Sequence, residues 1–166
     1  MKILLPIYCF LLLPPLAFSQ KDSVTVYVFL REDCVISQNY TPKLNQLFEQ
    51  YHSAELGFVG IFPSTRDAQI TAFQKKYQLA FPLQSDYYQT TTKKLSATVT
   101  PEVVIYNHAC GEILYQGRID NTYFRVGKKR TITTTSDLED ALKAIKNNHP
   151  VALKKTEPVG CLITFN

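Results

Sequence analysis

Residues 23–30 read Ser-Val-Thr-Val-Tyr-Val-Phe-Leu, with β-branched or aromatic residues in both alternating sets. A strand that is apolar on both faces belongs in the middle of an α/β sheet. The polar run Arg31-Glu32-Asp33-Cys34 ends it, and Leu44, Leu47, Phe48 and Tyr51 then recur at helical spacing. A second apolar strand is predicted from about residue 56 to 62. Ser64-Thr65-Arg66-Asp67 has the form of a capping box, and Ile70, Phe73 and Tyr77 continue it as a helix face. A short Phe81-Pro82-Leu83 piece leads to Asp86, and residues 87–96 read as a weak helix. Two further strands are predicted at 102–106 and 112–116, joined by a hairpin over Asn107-His108-Ala109-Cys110-Gly111. A polar loop covers 117–135. Ser136-Asp137-Leu138-Glu139 repeats the capping-box form, and Leu138, Ala141, Leu142 and Ile145 make a last helical stripe. Residues 148–166 form a tail. The order is β-α-β-α-(short element)-β-β-α, with no internal repeat. Its first half requires parallel strands with crossover helices, and its last two strands are antiparallel neighbours.

Composition narrows the class. The chain has 166 residues, 45% hydrophobic and 19% charged, which suits one compact core and disfavours disorder. Lys2, the apolar run 3–16 broken by Pro6, Pro14 and Pro15, and Ala17-Phe18-Ser19 have the form of a signal peptide over residues 1–19. Cys9 lies inside its apolar core. Removing that segment leaves 17 basic and 14 acidic residues, a net charge of +3 that is too weak and dispersed for nucleic acid. No later stretch is apolar enough to span a membrane. The expected location is exported, periplasmic or extracellular, where disulfides persist. Three cysteines remain, Cys34, Cys110 and Cys161. An odd number in that setting leaves a thiol free or paired with another molecule.

Cys34 falls just past the carboxyl end of the first strand and at the start of the first helix. Ligands and chemistry gather at that edge of an open α/β sheet. The unpaired N–H groups and positive end of the helix favour thiolate over thiol, and a lowered pKa is what makes a cysteine reactive. A buried, inert cysteine at the junction is the plain structural alternative.

The segment Val28-Phe29-Leu30-Arg31-Glu32-Asp33-Cys34-Val35-Ile36-Ser37 resembles the active-site region of the thioredoxin-like superfamily, and Pro42 resembles its helix-kinking proline. Thr98-Val99-Thr100-Pro101-Glu102 resembles the Thr-Pro segment of those proteins, and residues 111–117 resemble the hairpin that follows. The resemblance covers about residues 23–147 and is closest to redoxins of the alkyl-hydroperoxide-reductase/thiol-specific-antioxidant type. It extends to a subgroup with Cys-x-x-Ser (Cys34 to Ser37), Gly-Arg-Ile-Asp (117–120) and a Gly-Cys near the C-terminus (Gly160-Cys161). It implies a thioredoxin-like fold with a central mixed sheet flanked by helices over residues 20–147. It also implies a cis peptide bond before Pro101, facing Cys34, with Thr100 beside it shaping a groove for an extended substrate.

The implied activity is thiol-disulfide oxidoreduction with Cys34 as nucleophile, acting on a thiol or disulfide protein with an external reductant. No cofactor or metal is required. Ser37 replaces the second cysteine of a dithiol motif; it cannot resolve a mixed disulfide, but it can donate a hydrogen bond to the thiolate. Arg118 is a candidate for lowering the Cys34 pKa, with Asp120 holding it. Cys161, in the tail, is the preferred resolving thiol, and Cys110, in the hairpin, is the rival. Thiol-dependent peroxide reduction is an alternative, although Tyr27 and Arg31 stand where a peroxiredoxin carries Pro and Thr. A non-catalytic redox or copper-binding module is another, with His108, Cys110, Cys34 and Cys161 as soft ligands.

Overall fold

The computed structural model describes residues 24–165. The expected signal peptide lies outside them. The first four strands and helices are β1 (Val24–Phe29), α1 (Val35–Tyr51), β2 (Leu56–Pro63) and α2 (Asp67–Tyr77). They are followed by β3 (Leu83–Asp86), α3 (Thr90–Lys94), β4 (Val99–Thr100), β5 (Glu102–Asn107) and β6 (Glu112–Gly117). The chain continues with β7 (Tyr123–Arg125), β8 (Lys128–Lys129), α4 (Asp137–Lys146) and β9 (Cys161–Leu162). The main sheet has the order β3-β2-β1-β5-β6. Strands β1, β2 and β3 are parallel, while β5 and β6 run antiparallel to their neighbours. This is the expected mixed sheet with β1 at its centre.

Both faces of β1 are used, as its double apolar pattern requires. Val24, Val26 and Val28 join a core with Leu44 and Leu47 of α1, Ile70 and Phe73 of α2, and Leu138 and Leu142 of α4. Phe29 points to the opposite face, where Ile61, Leu95, Ala97, Val104 and Ile163 form a smaller cluster. Ile163 comes from the tail, which joins Leu95 at the end of α3 in covering this face.

Several local expectations change. Helix α1 starts nine residues before its apolar stripe, at Val35, and buries Ile36, Ser37, Tyr40 and Thr41 as well. Pro42 inside it has no N–H to give the carbonyl of Gln38, and the Thr41 hydroxyl donates to that oxygen instead at 2.8 Å. The capping box of α2 is shifted: Arg66 is the N-cap, and its N–H donates to Gln69 Oε1 at 3.3 Å. Ser136 precedes α4 but makes no side-chain cap, because its backbone turns to φ −117°, ψ 61°. The polar loop 117–135 contains the β7–β8 hairpin and is organised by Asn121, whose Oδ1 accepts from Thr134 N and Thr135 N while its Nδ2 donates to Thr134 Oγ1.

The tail is fixed at several points. Thr156 N donates to Gln116 O, and its hydroxyl oxygen accepts from Arg118 N at 3.0 Å. It fits only because Gly117 sits at φ 148° with no Cβ; a Cβ there would stand 2.1 Å from Thr156 Oγ1. Farther on, β9 pairs antiparallel with β4, placing Thr100 opposite Cys161 and Val99 opposite Leu162.

Candidate active site around Cys34 and Cys161

Cys34 is the N-cap of α1, extended at φ −86°, ψ 108°, with its side chain making no cap to the helix. Its carbonyl accepts the Gln38 N–H at 3.0 Å, which starts the helix and leaves the sulfur beside the positive helix end. The Thr100–Pro101 peptide bond is cis. The Thr100 carbonyl faces Cys34 and accepts its S–H at 3.0 Å. The sequence-expected group of Cys34, Ser37, Thr100, Pro101 and Cys161 is thus gathered at one end of the sheet.

Cys161 Sγ lies 2.7 Å from Cys34 Sγ and is the donor between them. Cys34 is wholly buried and Cys161 half-buried, because the tail lies over the first cysteine. Burial pushes the Cys34 thiol up, but hydrogen bonds from the Cys161 thiol, from the N–H and hydroxyl of Ser37, and from the Cys161 backbone pull it down further, so its acidity is increased. The Thr100 carbonyl can only accept and therefore favours the protonated form. Cys161 moves the other way. Burial, the hydrogen bond it donates to Cys34 and the charge on that sulfur push its thiol up to about 11. The proton between them is shared unequally: Cys34 is the stronger acid and carries the charge, while Cys161 keeps its proton.

The cation beside this pair is Arg31. Its guanidinium is held by Asp33, with Nε–Oδ1 at 2.6 Å, and acts electrostatically on both sulfurs. It also donates from Nη1 to Leu162 O at 3.1 Å, tying the active-site loop to the tail. Arg118, expected to serve Cys34, is engaged elsewhere. It forms a two-point pair with Asp137 of α4, at 2.8 and 3.2 Å, because the α4 terminus rather than the thiol faces the end of β6. Asp120 does not hold Arg118 by a hydrogen bond; it accepts from the Tyr40 hydroxyl at 2.5 Å and from Thr122 N at 2.8 Å.

Glu102 was not singled out by sequence reasoning. It is buried, and its Oε2 accepts from Thr98 N at 2.7 Å while Oε1 accepts from Gln116 Nε2 at 2.8 Å. These bonds hold the 98–100 segment against the sheet. An acidic residue directly after the Thr-Pro pair was the only available signal, and it reads equally well as a strand residue.

Cys110 lies exposed in the β5–β6 turn. Asn107, at the start of that turn, is opposite Val24, while Glu102 is opposite Phe29. The turn is therefore at the far end of β1 from Cys34, about 17 Å along the strand. His108 sits at the same far end, with Nε2 3.0 Å from Thr25 Oγ1. The ligands of the copper alternative are thus divided between two ends of the sheet. Among the described residues, no group of three His, Cys, Asp or Glu side chains is placed to hold a metal. Among those residues, too, no helix is long and apolar enough to cross a membrane.

Comparison with known proteins follows the same lines. The model of the AhpC/TSA family matches residues 16–135. The chain belongs to the AhpC/TSA family. The match spans both the Cys34 loop and the Thr100–Pro101 segment, and Cys161 lies beyond it. A search of curated proteins returns no match. Among solved structures, this AhpC/TSA chain is similar to an uncharacterized conserved protein from Geobacillus kaustophilus, with 22% identity and a TM-score of 0.76. That likeness covers 88% of this chain and 79% of the other. A secreted Mycobacterium tuberculosis disulfide oxidoreductase homologous to Escherichia coli DsbE aligns at 21% identity and TM-score 0.53, covering 74% and 81% of the two chains. StoA from Bacillus subtilis aligns at 17% and 0.52, covering 78% and 84%. The fold of this AhpC/TSA member is thioredoxin-like.

Proposed function

We propose that this chain is an exported thiol-disulfide oxidoreductase that cycles Cys34 and Cys161 between dithiol and disulfide. The observation that carries the reading is the 2.7 Å approach of the two sulfurs, with the acidity of Cys34 raised and that of Cys161 lowered. The Cys34 thiolate attacks a protein disulfide; a new S–S bond forms, and one substrate sulfur leaves as a thiolate that takes up a proton. The Cys161 thiol loses its proton and attacks Cys34 Sγ, breaking the mixed disulfide and releasing the second substrate thiol. The substrate gains two electrons and the protein becomes a Cys34–Cys161 disulfide, which an external dithiol reduces. Every step is reversible, and the potential of the partner sets the direction.

Ser37 and Arg31 favour the thiolate, and Thr100 with cis-Pro101 forms one wall of the site. Arg118 ties the end of β6 to α4. Export is supported by the form of residues 1–19 and suits a cysteine pair that works in an oxidising compartment.

The test is turnover of a disulfide-bonded peptide with a dithiol reductant. Cys34→Ser abolishes it, Cys161→Ser accumulates the mixed disulfide, and Cys110→Ser leaves it unchanged. Retained turnover in Cys34→Ser refutes the assignment. Family membership and the Arg31 charge favour a second reading, peroxide reduction. There the Cys34 thiolate is oxidised to a sulfenic acid, reducing the peroxide to alcohol, and Cys161 condenses with it, losing water, to the same disulfide. Saturable peroxide consumption that depends on Cys34 distinguishes it.

A further inference from the structure

The last residues occupy the edge that a substrate strand would need. Cys161 and Leu162 pair antiparallel with Val99 and Thr100, and Ile163 N donates to Thr98 O at 2.9 Å. Two side chains clamp carbonyls of the same strand: Arg31 Nη1 on Leu162 O at 3.1 Å and Gln89 Nε2 on Thr164 O at 2.6 Å. All these contacts are made to backbone atoms of the tail, so any extended peptide can repeat them.

Its side chains are held unequally. Gly160 crosses the Thr100 carbonyl so closely that a Cβ would stand 2.2 Å from its oxygen. Leu162 is 75% exposed and meets little. Ile163 is 7% exposed and fills the cluster of Phe29, Ile61, Leu95, Ala97 and Val104. A strand on this edge must therefore carry glycine before its cysteine and an aliphatic residue two positions after it, with free choice between.

We propose that residues 160–164 are a built-in stand-in for the substrate strand, and that the partner is an extended peptide of the form Gly-Cys-x-aliphatic. This rests on the thiol-disulfide reading above and adds its substrate class. Tail and partner compete for one edge. Cys34 is reached only when the tail lifts, and the returning tail expels the partner as Cys161 resolves the mixed disulfide.

The experiment follows iodoacetamide alkylation of Cys34 in the reduced protein, read by peptide mass mapping. Gly160→Val forces a side chain against the Thr100 carbonyl, and Ile163→Asp removes the apolar anchor as an independent second variant. Retained hydrogen-exchange protection of β1 and β5 marks release of the tail alone. Both variants should alkylate at Cys34 roughly tenfold faster than the parent, the effect of losing one overpacked or buried anchor. A synthetic peptide of residues 158–165, with serine for its cysteine, should restore slow alkylation. The same peptide with valine for its glycine, or aspartate for its isoleucine, should not.

Unchanged alkylation in both variants overturns the proposal. So does a released Cys34 that no peptide protects, or that all three protect equally; in those cases the thiol chemistry stands and the substrate class falls. If Cys34 of the parent protein follows the pH profile of an unstructured thiol, the proposed function itself fails.

Discussion

Cys161 donates its S–H to the sulfur of Cys34, and that bond helps to separate the acidities of the two thiols. It stabilises the charged form of one partner and the neutral form of the other. The first prediction concerns pH. Cys34 alkylation should reach half its maximal rate below the ordinary thiol value, while Cys161 should stay unreactive until pH approaches about 11. The sign for stability follows. A thiol whose folded pKa is raised contributes stability that is complete below its unfolded value of 9.0 and disappears as pH rises through about 11. Cys161→Ala, which removes the donor, should move the Cys34 midpoint upward, and a midpoint that stays put would contradict the shared-proton arrangement.

Arg31 acts on both sulfurs and on the tail. Arg31→Ala should raise the pH midpoint of Cys34 alkylation, and Arg31→Lys should restore most of the shift, since the charge is what matters at the sulfur. The lysine cannot grip Asp33 through two nitrogens, so the loop should remain looser, seen as faster hydrogen exchange near residues 31–33.

Arg118 should behave differently. Asp137 is nearly buried and keeps its carboxylate well ionised, with burial opposed by hydrogen bonds from Arg118 and Thr135. Arg118→Ala leaves that charge short of a partner and should cost about 1–3 kcal/mol by denaturant unfolding. The Cys34 midpoint should not move. Because the folded Asp137 pKa is depressed, the pair stabilises above the ordinary value of 3.8 and loses its contribution as pH falls through the folded value.

Glu102→Gln replaces an oxygen that accepts backbone N–H groups with an amide that must turn a donor toward one of its partners. A cost of about 1–3 kcal/mol is expected. The 98–100 segment should loosen with it, so Cys34 alkylation should speed up although Glu102 touches neither cysteine.

Much of this was legible in the sequence. Strands β1, β2, β5 and β6 and the faces of α1, α2 and α4 follow from periodicity, because their apolar residues report local burial. Cys34 could be placed at the strand-helix junction for the same reason. The β4–β9 pair could not, since two-residue strands whose partners Thr100 and Cys161 lie 61 positions apart carry no local pattern and exist only through each other. Charge partners were the weakest inference. Arg118 is the candidate the chain offers and Arg31 reads as a strand-end charge, yet which one meets the thiols depends on where α4 and the tail come to rest. The cap at Ser136 failed for a backbone reason that composition does not encode.

The anchor at Thr156, wedged against Gly117, lies five residues before Cys161. When β9 detaches, its thiol is still on a leash of about 17 Å. Within so small a sphere its effective concentration is roughly tens of millimolar. A small-molecule thiol at micromolar levels would lose the race to a mixed disulfide on Cys34, so the rate of resolution should be independent of how dilute the protein is.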